Sequence, residues 1–123
     1  MKRQLIHTLG LAVLLSLPVA AQAGRGEADT ALTRASSGVA AAERAGAAQV
    51  ATVELGIARD LLMLAQRACE RRDWDDCERA AHRAHADARL AEARTRQYNA
   101  ELATSRIESA IDTLRVELDR QGA

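Results

Sequence analysis

Four side chains near the middle of this 123-residue chain could do chemistry together: Cys69, Cys77, His82 and His85. Thiolate and imidazole are the donors that suit zinc or copper. At about 100° per residue, however, His82 lies about 140° and His85 about 80° round a helix from Cys77, so the three do not converge. The two cysteines alone suit a disulfide, provided the chain turns back between them and the compartment is oxidising. Closing so short a loop would contribute roughly 2 to 3 kcal/mol. Carboxylates are plentiful, but none sits in an apolar setting that would prepare it for acid–base work. Beyond Lys2 every cation is arginine, so no lysine is available as a nucleophile or Schiff base. The expectation is a protein that is not an enzyme, with no catalytic residues, no cofactor and no metal site.

The elements that must position the cysteines are the two arms that meet between them. Arg71 and Arg72 are cations where a helix ends, and Asp73, Asp75 and Asp76 are anions where the next begins, each matching the sign of the helix dipole. Asp73 is a good N-cap, and Asp76 supplies the acidic half of a capping-box-like pair, so the second arm is predicted to start at Trp74. No glycine marks the end of the first arm. Trp74, the only tryptophan, either packs across this hinge or anchors a partner.

The first 23 residues read as a secretory signal: the basic start Met1-Lys2-Arg3, an apolar run from Leu5 to Val19, and the small-x-small site Ala21-Gln22-Ala23. Cleavage is expected after Ala23, with Ala21 the alternative. Neither following residue is cysteine, so no lipid-modified N-terminus is expected, and the run is too short for a retained membrane span. The exported chain, Gly24 to Ala123, has 15 basic and 17 acidic residues and a formal charge of −2. That balance disfavours nucleic acid. With 28 alanines, no Phe, one Trp and one Tyr in the whole chain, the interior must come from close helix approach on small side chains.

Residues 24–29 read as a polar leader, with Asp29 or Thr30 capping a single helical domain over 30–121. Ala28, Leu32, Ala35, Val39, Ala42 and Gly46 recur at four- and three-residue steps, one face of a helix. Gly38 and Gly46 each weaken it by about 1 kcal/mol relative to alanine, and a break or bend is predicted over 46–52. Val53, Ile57, Leu61, Leu64 and Ala68 form the next stripe, with Leu55, Ala58, Leu62, Ala65 and Cys69 beside it. The second arm carries Cys77, Ala81, Ala84, Ala88, Ala91, Thr95, Tyr98 and Leu102. After a phase slip it continues with Ile107, Ile111, Leu114 and Leu118. Without Pro or Gly from Trp74 to Gln121, it should run roughly 70 Å.

The fold class is all-α, and two architectures compete. In a long antiparallel hairpin, coiled-coil-like with a bent or broken first arm, Ile107 lies near Val39, Leu114 near Leu32, and Tyr98 beside Gly46 and Ala47. This is the preferred arrangement because it covers Ile107 to Leu118. The alternative is a three-helix arrangement whose last helix overhangs.

Laid out this way, Thr33 to Gln121 resembles the bacterial envelope family labelled domain of unknown function 4398. The resemblance is carried by Gly46-Ala47, Val53-Glu54-Leu55, Ala58-Arg59-Asp60-Leu61, the turn Asp73-Trp74-Asp75-Asp76, and Ala84-His85-Ala86-Asp87-Ala88-Arg89-Leu90-Ala91-Glu92-Ala93. Family members often have proline where Thr52 stands here, and many are lipoproteins or are fused to peptidoglycan-binding domains. The resemblance implies a periplasmic helical module with no catalytic residues to carry over.

A structural or interaction module of the Gram-negative periplasm is therefore expected, presenting a stiff helical hairpin to an envelope protein, the cell wall or a second copy of itself. A chaperone-like or stress-related binder of exported clients is the second reading, and metal sequestration the third. Leu55, Leu62 and Met63 lie off the main stripe of the first arm and are expected to leave apolar surface for self-association.

Overall fold

The computed structural model describes residues 19–122, and side chains from Gly24 onward; residues 1–18 of the expected signal segment lie outside the described residues. The described chain forms four helices, α1 (Val19–Ala45), α2 (Ala47–Val50), α3 (Thr52–Glu70) and α4 (Trp74–Gln121), and has no strand among the described residues. The all-α class and the break over 46–52 are as expected.

Of the two architectures, the three-helix arrangement with an overhanging last helix is the one found. α1, α3 and α4 pack as a bundle whose layers can be read from its core. Ala28, Ala68 and Cys77 share one level; Ala35, Leu61 and Ala84 share the next; Ala42, Leu55 and Ala91 share the third. Along those levels α1 and α4 ascend together while α3 descends, and α4 packs closely against both α1 and α3. The preferred hairpin therefore holds only for α3 against α4. Val39 lies with Ala88 and Ala91, not with Ile107, and Thr95, not Tyr98, sits against Gly46. The reason is local. Gly46 takes the left-handed conformation at φ 93°, and Ala51 leaves helical geometry at φ −122°, ψ 51°. These two residues bracket one helical turn and reverse the chain where a bend was expected.

Fourteen of the buried apolar residues are alanine; Val39, Leu55, Leu61 and Cys77 are the others. With so little side chain between them, the axes can approach the short end of the usual range of about 8 to 10 Å. The stripe Ala28, Ala35, Val39 and Ala42 on α1 is buried as predicted, with Leu32 half-buried. On α3 the assignment of faces is corrected. Leu55, Ala58, Leu61, Ala65 and Ala68 point inward, whereas Val53, Ile57 and Leu64 are exposed. A helix packed between two neighbours buries a wider arc than one in a hairpin, and that arc is centred on the alanines.

The predicted leader is also corrected, because α1 already runs through residues 24–29 and Ala28 is fully buried. Neither Asp29 nor Thr30 caps a helix start. The Thr30 hydroxyl donates back to the Gly26 carbonyl at 2.8 Å, and Asp29 pairs with Arg25 one turn earlier. Alanine-rich sequence from Val19 onward carries helical propensity into this stretch, and Ala28 adds tertiary cover.

The two reversals make opposite demands on their left-handed residues. Gly46 meets its requirement at no steric cost, so Gly46→Ala is expected to destabilise by about 1 to 2 kcal/mol. At the second reversal the left-handed residue is Arg72, at φ 62°. Arg72→Gly should therefore stabilise by about 1 kcal/mol. Thermal melts of the two variants, expected to move in opposite directions, check both assignments.

Candidate functional site

The hinge between α3 and α4 is built from backbone bonds at both ends. The Asp73 N–H donates to the Ala68 carbonyl at 2.9 Å and the Arg72 N–H to the Cys69 carbonyl at 3.0 Å, the paired bonds that close a helix end on a left-handed residue. Arg72 supplies the conformation usually left to glycine. Asp73 then caps α4, its carboxylate accepting from the Asp76 N–H at 3.3 Å, so the second arm begins at Trp74 as predicted. The reciprocal half of the capping box is not formed. The Asp73 N–H is already committed to Ala68, and the Asp76 carboxylate instead accepts from Arg79 at 2.6 Å.

Cys69 and Cys77 are joined as a disulfide with their Cα atoms 5.1 Å apart, and neither is a free thiol. Cys77 is fully buried against Ala28 and Ala68, and Trp74 packs on the same cluster. Trp74 thus packs across the hinge, with the Arg25 guanidinium 6.0 Å from its ring centroid. Arg25, Trp74, the disulfide and Ala28 tie the base of α1 to the turn.

The histidines have other partners than the cysteines. His82 Nε2 lies 3.3 Å from the Glu78 carboxylate on the exposed side of α4. His85 Nδ1 lies 3.1 Å from the Arg34 carbonyl of α1. A carbonyl only accepts, so Nδ1 carries the proton. Gly38 makes room for this contact, since a Cβ there would come 2.8 Å from the His85 ring nitrogen. His85 is therefore a clip between parallel helices. Sequence reading missed this because the pair is 47 residues apart. Among the described residues no group of three or more His, Cys, Asp and Glu could hold a metal ion.

Two ion pairs brace the rest of the bundle. Arg59 of α3 donates to Glu43 of α1 at 2.6 Å, and Arg94 of α4 pairs with Glu54 in the first turn of α3. Shallow depressions lie along the helix seams and on the outer side of α3. One of about 540 Å³ runs between α1 and α4 past Glu27, Arg34, Glu78 and His82.

What the structure presents most prominently is the outer half of α4. Thr95 is the last buried residue, its hydroxyl donating back to the Ala91 carbonyl at 2.8 Å. From Arg96 to Gly122 every residue is exposed. Ile107, Ile111, Leu114 and Leu118 are 61, 43, 58 and 67% exposed, and lie on one side of the projecting helix. At about 100° per residue this stripe points roughly 130° away from the face that α1 and α3 cover. The covered face is Cys77, Ala81, Ala84, Ala88, Ala91 and Thr95; its continuation through Tyr98 and Leu102 is exposed. No described helix is long and apolar enough to cross a membrane.

No curated protein and no solved structure matches the chain. The resemblance noted from the motifs is confirmed for the bundle and the first turns of the overhang, short of the Gln121 limit taken from sequence. Residues 30–107 match the family model described as Domain of unknown function (DUF4398), and the chain belongs to that family.

Proposed function

We propose that this protein is a non-enzymatic interaction module of the bacterial cell envelope, exported to the periplasm, in which a disulfide-closed bundle holds out the end of α4 as a docking helix. The observation that carries the reading is the exposed stripe Ile107, Ile111, Leu114 and Leu118, on a stretch of α4 where no described residue from Arg96 to Gly122 is buried. Four large aliphatic side chains in line on a projecting helix are costly to leave in water and match the way helices dock on partners. The periplasmic location is supported by the signal-like start and by a disulfide, which persists in an oxidising compartment. Family membership is consistent with this and names no activity.

A chaperone-like role is the second reading. It is favoured by the outward-facing Val53, Ile57 and Leu64 on α3, a further apolar surface unrelated to the overhang. Metal sequestration has less support than either, since the two cysteines are bonded to each other.

Photo-cross-linking in cells distinguishes the readings. A photoreactive residue at Leu114 should give one defined adduct in the osmotic-shock fraction, whereas one at exposed Ala86 on the bundle should give none. A ladder of many adducts from Val53 and Leu114 alike would support the chaperone. No adduct at Leu114 would remove the docking reading.

A further inference from the structure

We propose that the overhang pairs antiparallel with the overhang of a second copy of this chain, forming a two-fold symmetric dimer with a bundle at each end. This rests on the docking reading above and names the partner. Ile107, Ile111, Leu114 and Leu118 follow the four-three-four spacing of a coiled-coil seam. Because the stripe points away from the bundle's own face, lengthening α1 or α3 would not cover it. A separate helix must.

Charge selects that helix and its direction. On one flank of the stripe lie Glu108 and Arg115; on the other, Ala110 and Glu117. Set antiparallel, Ile107 of one copy meets Leu118 of the other and Ile111 meets Leu114, giving four apolar layers. In the same register Glu108 of each copy faces Arg115 of its mate, and small Ala110 gives room on the opposite flank. Two symmetric ion pairs result. Set parallel, Glu108 faces Ala103 and Arg115 faces Ala110, and no ion pair forms. The intrahelical contact that Arg115 makes with Asp112 is 3.3 Å long and largely exposed to solvent, so it is easily exchanged.

The lengths are compatible. In this register Gln121 of one copy lies level with Thr104 of the other, nine positions beyond Thr95, the last buried residue. At 1.5 Å per residue that leaves about 13 Å between each helix end and the facing bundle. The contact is isologous and closes on itself, so it gives dimers and not fibres.

Sedimentation velocity of the exported chain from sub-micromolar to high-micromolar concentration tests this. We expect a reversible monomer–dimer equilibrium. Ile111→Asp, which places a charge at the centre of the seam in both copies, should weaken it by about a hundredfold or more. Glu108→Arg and Arg115→Glu should each weaken it about tenfold, and the double variant should return to within about threefold of the parent. The melting transition of the bundle serves as the folding control, because these positions are exposed in the monomer. A strict monomer, a dimer indifferent to Ile111→Asp, or single charge reversals not rescued by the double variant would each overturn the proposal. If the parent is a monomer while Leu114 still cross-links to a different protein, docking stands and self-pairing falls.

Discussion

Replacing Ala84 by leucine is expected to cost about 3 kcal/mol and to lower the melting temperature by roughly 10 to 20 °C. Ala84 is fully buried in the layer shared with Ala35 and Leu61. Alanine and leucine have nearly equal helix propensity, so the effect cannot come from the helix itself. It comes from the seam. Three extra heavy atoms must be placed where two backbones already approach on methyl groups, and rigid helices spread the resulting shift along their length. The same substitution at Ala86, exposed two residues on, should change stability by less than about 0.5 kcal/mol. Parallel thermal melts give the comparison, and a tolerated Ala84→Leu would mean that the helices are not held at alanine distance.

Reduction of the Cys69–Cys77 bond should cost roughly 2 to 3 kcal/mol. The cysteines are eight residues apart, and the cross-link acts mainly by limiting the unfolded chain. For a domain of this size that corresponds to a fall of about 10 to 20 °C in melting temperature. Helical content at low temperature should be nearly unchanged, since α3 and α4 keep their own hydrogen bonds and the Glu54–Arg94 pair. Material isolated from the periplasm with thiols blocked at lysis should show no free cysteine. Two free thiols in freshly isolated native protein would contradict the pairing and the oxidising location together.

How far the fold could be read in advance depended on whether the deciding interaction was local. Asp73 and the arginines before it announce a helix end and a helix start within a few residues, and the start at Trp74 follows from them. Cys69 and Cys77 fix the α3–α4 register at the turn, and the alanine count dictates the kind of core. Gly46 marked the weak point of the first arm, yet whether the chain bends or reverses there depends on φ and ψ at Gly46 and Ala51, which composition leaves open. That one choice decided between hairpin and three-helix bundle. The two apolar stripes of α3 both have helical spacing, so only the presence of α1 on its second side shows that Leu55, Ala58 and Ala65 face inward while Val53 does not. The Gly38–His85 contact joins positions with no local signature. Arg72 in a glycine's conformation had none either, because Asp73 and the disulfide hold it there from outside. The overhang's stripe was legible as a pattern; its exposure became visible only once the first arm was seen to fold back short of it.

Amide hydrogen exchange read by mass spectrometry, at sub-micromolar and at high-micromolar protein, tests the bundle-with-projecting-helix account most directly. At low concentration residues 74–95 of α4 should be protected and residues 96–121 should exchange far faster, with the boundary at Thr95; raising the concentration should slow exchange over 104–121 alone. Uniform protection across 74–121 at every concentration, as a continuous hairpin covering Ile107 to Leu118 would give, would contradict it.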